Sequence, residues 1–142
     1  MKRKKRVSDK GRLIKGVLEK QPAGVLKDML EDLQDIIKTN CGIYALYNGN
    51  KLYRVGLASQ LIKRVPSYLK SKTHKGKWNN FSVFIIKRQN YLKDLETLVL
   101  RIAKPEGNKV LGKIPRHHEM ERKLRSIINK YKRIARAYER NK

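Results

Sequence analysis

Cysteine is nearly absent from this chain: of 142 residues, only Cys41 carries a thiol. A lone cysteine closes no intrachain disulfide and matches no zinc-ligand spacing, so neither kind of staple is expected. Acidic residues are scarce as well, 12 against 36 Lys and Arg, which leaves a formal net charge of +24. The shortage is sharpest in the middle, where residues 41–114 hold only Asp94, Glu96 and Glu106 among 15 basic side chains. No apolar run approaches transmembrane length. The opening MKRKKRVSDKGR lacks the apolar stretch of a signal peptide. With one Trp, Trp78, placed away from any basic helix, a membrane-surface role has little to stand on. These absences point to an intracellular, reducing setting, cytoplasmic and nucleoid-associated. The excess of positive charge points to a polyanion, with nucleic acid the commonest.

Along the chain, residues 1–10 read as a basic arm. Leu13, Ile14, Val17 and Leu18 repeat at helical spacing, and QPAG at 21–24 interrupts that helix. A second helix is expected from about Val25 to Lys38, with Leu26, Met29, Leu30 and Leu33 on its apolar stripe. In CGIYALYNGNKLYRVG (41–56), two apolar-aromatic runs flank Asn48-Gly49, the strongest short hairpin signal. A helix follows from Ser59 or Gln60 to about Ser71, with Leu61, Ile62, Val65, Tyr68 and Leu69 inward and Pro66 set to kink it. FSVFIIKR (81–88) reads as a strand covered on both faces. YLKDLETLVLRIAK (91–104) reads as an amphipathic helix ended by Pro105 and Gly107, and a last helix runs from Pro115 nearly to the end. The core order β-β-α-β-α implies an α+β fold with a small three-stranded antiparallel sheet and flanking helices. The expected organisation is a basic arm and helical extension over 1–40, a core domain over 41–114, and a basic amphipathic helix over 115–142.

Three places carry chemistry. In the 91–104 helix, Leu92, Leu95, Val99 and Ile102 define the apolar stripe, and Glu96 falls about 80° from its middle at 100° per residue. On helix geometry alone that position favours a salt-bridged structural carboxylate at the edge of the core over a functional one. In the 59–71 helix, Arg64 and Tyr68 are four apart and share one edge beside the buried face. An arginine stem over apolar surface and a boundary tyrosine would also explain that pair. In THKGKWNNFS (73–82), His74, Lys75 and Lys77 sit beside Trp78. Cations interleaved with an aromatic suit phosphate contact and base stacking, while anchoring the loop on the core would serve Trp78 equally.

Taken together, the pieces resemble the GIY-YIG endonuclease superfamily. GIY at 42–44 is a literal match, RVGLASQLIKRVPSYL at 54–69 resembles the second motif and its arginine-bearing helix, and LETLVLRIAKPEGNKV at 95–110 resembles the closing segment. The incision subunit of bacterial nucleotide-excision repair has a similar N-terminal domain. The resemblance spans about 41–110, half the chain. It implies a metal-dependent phosphodiesterase site in which Glu96 holds one Mg²⁺ or Mn²⁺. By the same resemblance Arg64 neutralises charge on the phosphate, Tyr44 positions the attacking water or accepts its proton, and Tyr68 and Asn108 hydrogen-bond around the scissile group. The second-motif tyrosine falls on Arg54, one residue after Tyr53, and Leu57 stands where the family often has lysine. A two-residue turn at Asn48-Gly49 would put Tyr53 on the Tyr44 side, whereas a three-residue loop would put Arg54 there. If Arg54 takes the site, a catalytically weak or inactive nucleic-acid-binding relative is the alternative.

The last helix is amphipathic. Met120, Leu124, Ile127, Ile128, Tyr131, Ile134, Ala135 and Tyr138 form one stripe, with Arg122, Arg125, Lys132, Arg133, Arg136 and Arg140 on the reverse. The basic face is suited to a phosphate backbone. The apolar face must pack on something, and a homodimer through the terminal helices is one expected solution. His117-His118 reads as a solvated helix start.

Overall fold

A computed structural model describes residues 11–70 and 73–141, so the expected basic arm over 1–10 lies outside the described residues. The chain divides into two compact units, Met1–Gly112 and Lys113–Lys142. In the first unit four antiparallel strands, β1 (Ile14–Pro22), β2 (Cys41–Asn48), β3 (Lys51–Leu57) and β4 (Asn80–Ile86), lie in the order β1-β4-β2-β3. Helices α1 (Ala23–Thr39), α2 (Ala58–Lys70) and α3 (Leu92–Ala103) complete it, the last entered through a short 3-10 turn at Gln89–Tyr91. The second unit contains α4 (His118–Arg140). The first unit is α+β, with α1 and α2 on one side of the sheet and α3 on the other. Among the described residues no helix is long and apolar enough to cross a membrane.

Strand alternation sorts the core into two clusters. Tyr44, Leu46, Tyr53, Phe81 and Val83 point to the side where Leu26 and Leu33 of α1 and Leu61, Val65 and Tyr68 of α2 pack. Ile43, Ala45, Val55 and Ile86 point to the other side, against Leu92 and Leu100 of α3. β2 and β4 therefore carry apolar residues on both faces, as fully covered strands must. α2 runs on as one helix through Pro66.

The expected helix over residues 13–18 is replaced by β1. Its pairing with β4 is irregular at two points, between Ile14 and Gly16 and between Leu18 and Gln21. At the second, Lys20 takes a positive φ of 52° and donates its N–H to the buried Ser82 hydroxyl, 2.9 Å away. Each irregularity disturbs the two-residue alternation of a strand. Apolar residues at 13, 14, 17 and 18 then imitate a helical period, although β1 is an edge strand.

α3 is also rotated from the expected stripe. Ile102 is 76% exposed, whereas Leu100 is 3% exposed. Glu96 stands four residues from both Leu92 and Leu100, in the row they define, so it lies nearer the buried face than the sequence alone implied.

Candidate active site

The hairpin resolves the choice between Tyr53 and Arg54 in an unforeseen way. Asn48 pairs with Lys51, so Gly49 and Asn50 form the two-residue turn, with Gly49 at φ 60°. Glycine with positive φ in the first turn position is the type II′ preference. The ladder then slips: Leu46 pairs with Arg54, but Tyr47 pairs with Leu52. Tyr53 is the extra residue of a β-bulge, and the bulge turns both Tyr53 and Arg54 toward the Tyr44 face. Neither loop considered from the sequence produces this arrangement.

Tyr44 stands on β2 between Gly56 of β3 and Val83 of β4. Its ring lies over Gly56, where a Cβ would come 2.7 Å from the Cε1, Cζ and hydroxyl oxygen of the phenol. The Tyr44 hydroxyl is 2.8 Å from that of Tyr68 on α2, and Arg54 Nε donates to the Tyr44 oxygen at 3.4 Å. The same guanidinium reaches the Gly107 carbonyl through Nη1 and lies 5.5 Å from the Tyr68 ring centroid. Arg64, exposed one turn before Tyr68, stands close enough to help lower the pKa of the Tyr68 hydroxyl. Tyr44, Arg54, Arg64 and Tyr68 thus form one cluster.

The two phenols differ in acidity. Burial raises the pKa of Tyr44, the Tyr68 hydrogen bond raises it further, and Arg54 offsets only part of this. Burial also opposes ionisation of Tyr68, but the hydrogen bond from Tyr44 and the charges of Arg54 and Arg64 outweigh it and lower its pKa. Of the two phenols Tyr68 is the more acidic, and when it ionises Tyr44 is the one that keeps its proton.

Glu96 is half-buried on α3, and α3 packs against β3, the edge strand, and β2. Burial raises its pKa, while the charges of Lys93 and Arg54 pull it back; Arg54 is the member of the cluster whose field reaches it, since α3 packs on the sheet face opposite Tyr44 and Tyr68. Among the described residues no group of three or more His, Cys, Asp and Glu is assembled to hold a metal. A hard divalent cation that keeps most of its waters takes as few as one or two carboxylates. A single half-buried carboxylate such as Glu96 fits that donor requirement.

Asn108 plays a bracing part. Its amide donates to the Val55 carbonyl at 2.8 Å and accepts from the Val55 N–H at 2.8 Å, while Gly107 N–H donates to the Tyr53 carbonyl at 2.7 Å. The expected hydrogen bond from Asn108 to a scissile group is thus corrected. Its side chain extends the β3 edge as a third strand would, and holds the bulge in place.

The loop before β4 divides. Trp78 is 7% exposed and belongs to the core on the α1–α2 side, so its expected base-stacking role is corrected to a loop anchor. Lys75 and Lys77 are exposed. His74 Nδ1 is 2.9 Å from the Tyr53 hydroxyl, and its ring meets Tyr68 edge-on at 5.2 Å between centroids. Burial lowers the His74 pKa first, and Arg54, Lys77 and Lys109 lower it further, which keeps the ring neutral at pH 7. The Tyr53–His74 pair was not foreseen as a contact, because no spacing in the sequence ties the hairpin to the loop before β4. A cleft of about 420 Å³ opens here, walled by Tyr53, Arg54, His74, Lys77, Asn108 and Lys109 among others. Its wall also includes Glu106, which is paired with Lys51 at 3.7 Å.

In the second unit, Arg122, Arg125, Lys132, Arg133, Arg136 and Arg140 are all exposed on α4. The His117 ring caps that helix, accepting from Met120 N–H at 3.1 Å. No family model matches the chain, and no curated protein or solved structure matches it either.

Proposed function

We propose that the chain is a metal-dependent DNA endonuclease of the GIY-YIG kind, hydrolysing phosphodiester bonds. The observation that carries this reading is the phenol–guanidinium cluster of Tyr44, Tyr68, Arg54 and Arg64, with Glu96 inside the field of Arg54. A phosphodiester meeting that cluster finds two guanidinium groups to balance charge on its non-bridging oxygens. Tyr68, once ionised, takes the proton of the water as that water attacks phosphorus, and the hydrogen bond from Tyr44 and the charge of Arg54 favour its phenolate. Tyr44 is 1% exposed and acts through Tyr68 as a positioning residue. A cation held by Glu96, Mg²⁺ or Mn²⁺, would supply Lewis-acid stabilisation of the phosphate and the leaving oxygen. With DNA as substrate, the site of action is the cytoplasm and its nucleoid.

One observation favours a second reading. The Arg54 guanidinium is engaged by the Gly107 carbonyl and the Tyr44 oxygen, as suits a copy that binds DNA without cutting it. Supercoiled and branched DNA incubated with Mg²⁺ or Mn²⁺, against an EDTA control, separates the two. Cation-dependent cleavage is expected, and Glu96→Ala should abolish it while DNA affinity holds or rises slightly. Tight binding with no cleavage under either cation would establish the second reading instead.

A further inference from the structure

The apolar stripe of α4 repeats with a regularity that packing on an irregular surface does not require. Met120, Leu124, Ile127, Tyr131, Ile134 and Tyr138 are separated by four, three, four, three and four residues, the heptad spacing of a coiled coil. From Met120 to Ile134 each of these is at least half exposed, between 51% and 65%. The spacing fixes the positions: Leu124, Tyr131 and Tyr138 at a, with Met120, Ile127 and Ile134 at d.

We infer that α4 pairs with α4 of a second copy as an antiparallel two-stranded coiled coil. Three features select this arrangement. First, a parallel pair favours β-branched residues at a and leucine at d, whereas here both isoleucines stand at d and a is filled by one leucine and two tyrosines. Second, a parallel pair stacks each tyrosine on its own copy. The antiparallel pair sets Leu124 opposite the partner's Ile134, Ile127 opposite the partner's Tyr131 and Met120 opposite the partner's Tyr138, so no tyrosine meets its own copy. Third, the charges are graded along the helix. Glu119 and Glu121 lie in the first turn, whereas Arg133, Arg136 and Arg140 outnumber the single Glu139 in the last eight residues. Antiparallel pairing brings each acidic end beside the partner's basic end and opposes the two macrodipoles; parallel pairing brings the basic ends together. Glu119 and Glu121 already meet Lys123 and Arg116 in exposed ion pairs, which cost little to share. Ile128 meets its own copy near the two-fold axis. Lys130 flanks the opposite edge, where its stem can cover the seam with its charge in water. The six basic residues on the reverse remain outward. This pairing is independent of whether the chain cuts DNA.

Mass and crosslinking test it in the full chain, in salt high enough to screen the net charge. Light scattering should give twice the 16.7 kDa chain mass. Ile127→Glu should return the single-chain mass without changing the fluorescence of the buried Trp78. In a Cys41→Ser background, oxidising Leu124→Cys chains mixed with Ile134→Cys chains should yield a disulfide-linked pair. Neither variant alone should crosslink, because ten residues of helix hold the like thiols about 15 Å apart, beyond disulfide reach. A single-chain mass for the unaltered protein, a mass above two chains, or crosslinking of Leu124→Cys alone would each overturn the inference.

Discussion

Glu96 is the residue whose alternatives differ most in their consequences. A structural carboxylate at the core edge would stabilise the fold through Lys93 or Arg54; a site carboxylate would be held there at a cost. Its pKa is raised above 4.5, with burial the largest cause. The folded chain therefore binds this proton more tightly than the unfolded chain. The associated stability is complete below pH 4.5 and is lost as pH rises through the folded value. At neutral pH the ionised carboxylate is a net burden that Glu96→Gln relieves. The variant should melt at a higher temperature than the unaltered protein at pH 7, with the difference closing toward pH 4.5. Thermal unfolding followed across that range measures it. A lower melting temperature for Glu96→Gln at pH 7 would mark Glu96 as a salt-bridge partner of the fold. The sequence showed Glu96 turned toward the body of the domain, but it placed Ile102 rather than Leu100 on the buried stripe. Spacing alone does not fix how a helix rolls on its sheet, because that depends on side chains from β2 and β3.

At the scale of elements, the hairpin and the segment after α3 form one construction. β3 is an edge strand with a bulge at Tyr53, and a bulged edge loses register easily unless something pins it. Asn108 supplies that pin through both Val55 hydrogen bonds, and Val55 is 3% exposed. Asn108→Ala leaves a buried N–H and a buried carbonyl unpaired, a loss of about 3 kcal/mol. Chemical denaturation should register that loss. Tyr53 and Arg54 amides should also gain hydrogen exchange before those of β2, because the edge opens first. Equal exchange in both strands would mean that the bulge is held by the sheet alone. Elements with clean periodicity were legible in the sequence: α1, α2, β4, α4 and the hairpin all lie close to where their patterns put them. β1 and the bulge were not, for one physical reason. An inserted residue shifts the alternation that identifies a strand and its faces, and nothing in the local composition marks where the insertion falls. Asn108 was legible as a residue of interest, but its role depends on a backbone partner 53 positions away.

For the whole molecule the question is what a net charge of +24 does once it is distributed. Around the cleft, Arg54, Lys77 and Lys109 face a small volume, where two or three phosphates exhaust the contacts available. On α4 the cations repeat along a helix of 23 residues, about 35 Å long, so they can follow a backbone rather than grip one phosphate. Under the proposed action on DNA, length and repetition assign most non-specific affinity to α4 and positioning to the first unit. Each phosphate neutralised on duplex DNA contributes about 0.9 to the slope of log affinity against log salt. Changing Arg125, Arg133 and Arg136 to Gln leaves the heptad positions untouched and should preserve the dimer mass. It should weaken binding alike for all sequences and lower that slope by up to about 2.7, three contacts at about 0.9 each. Ile127→Glu makes the complementary change, removing the pairing while every cation remains. Fluorescence anisotropy on one duplex over a salt series distinguishes the two effects. A fall in slope only with Ile127→Glu would mean that α4 reaches DNA through the geometry of the pair. A fall with neither variant would confine the DNA contacts to the first unit, leaving α4 as an assembly device alone.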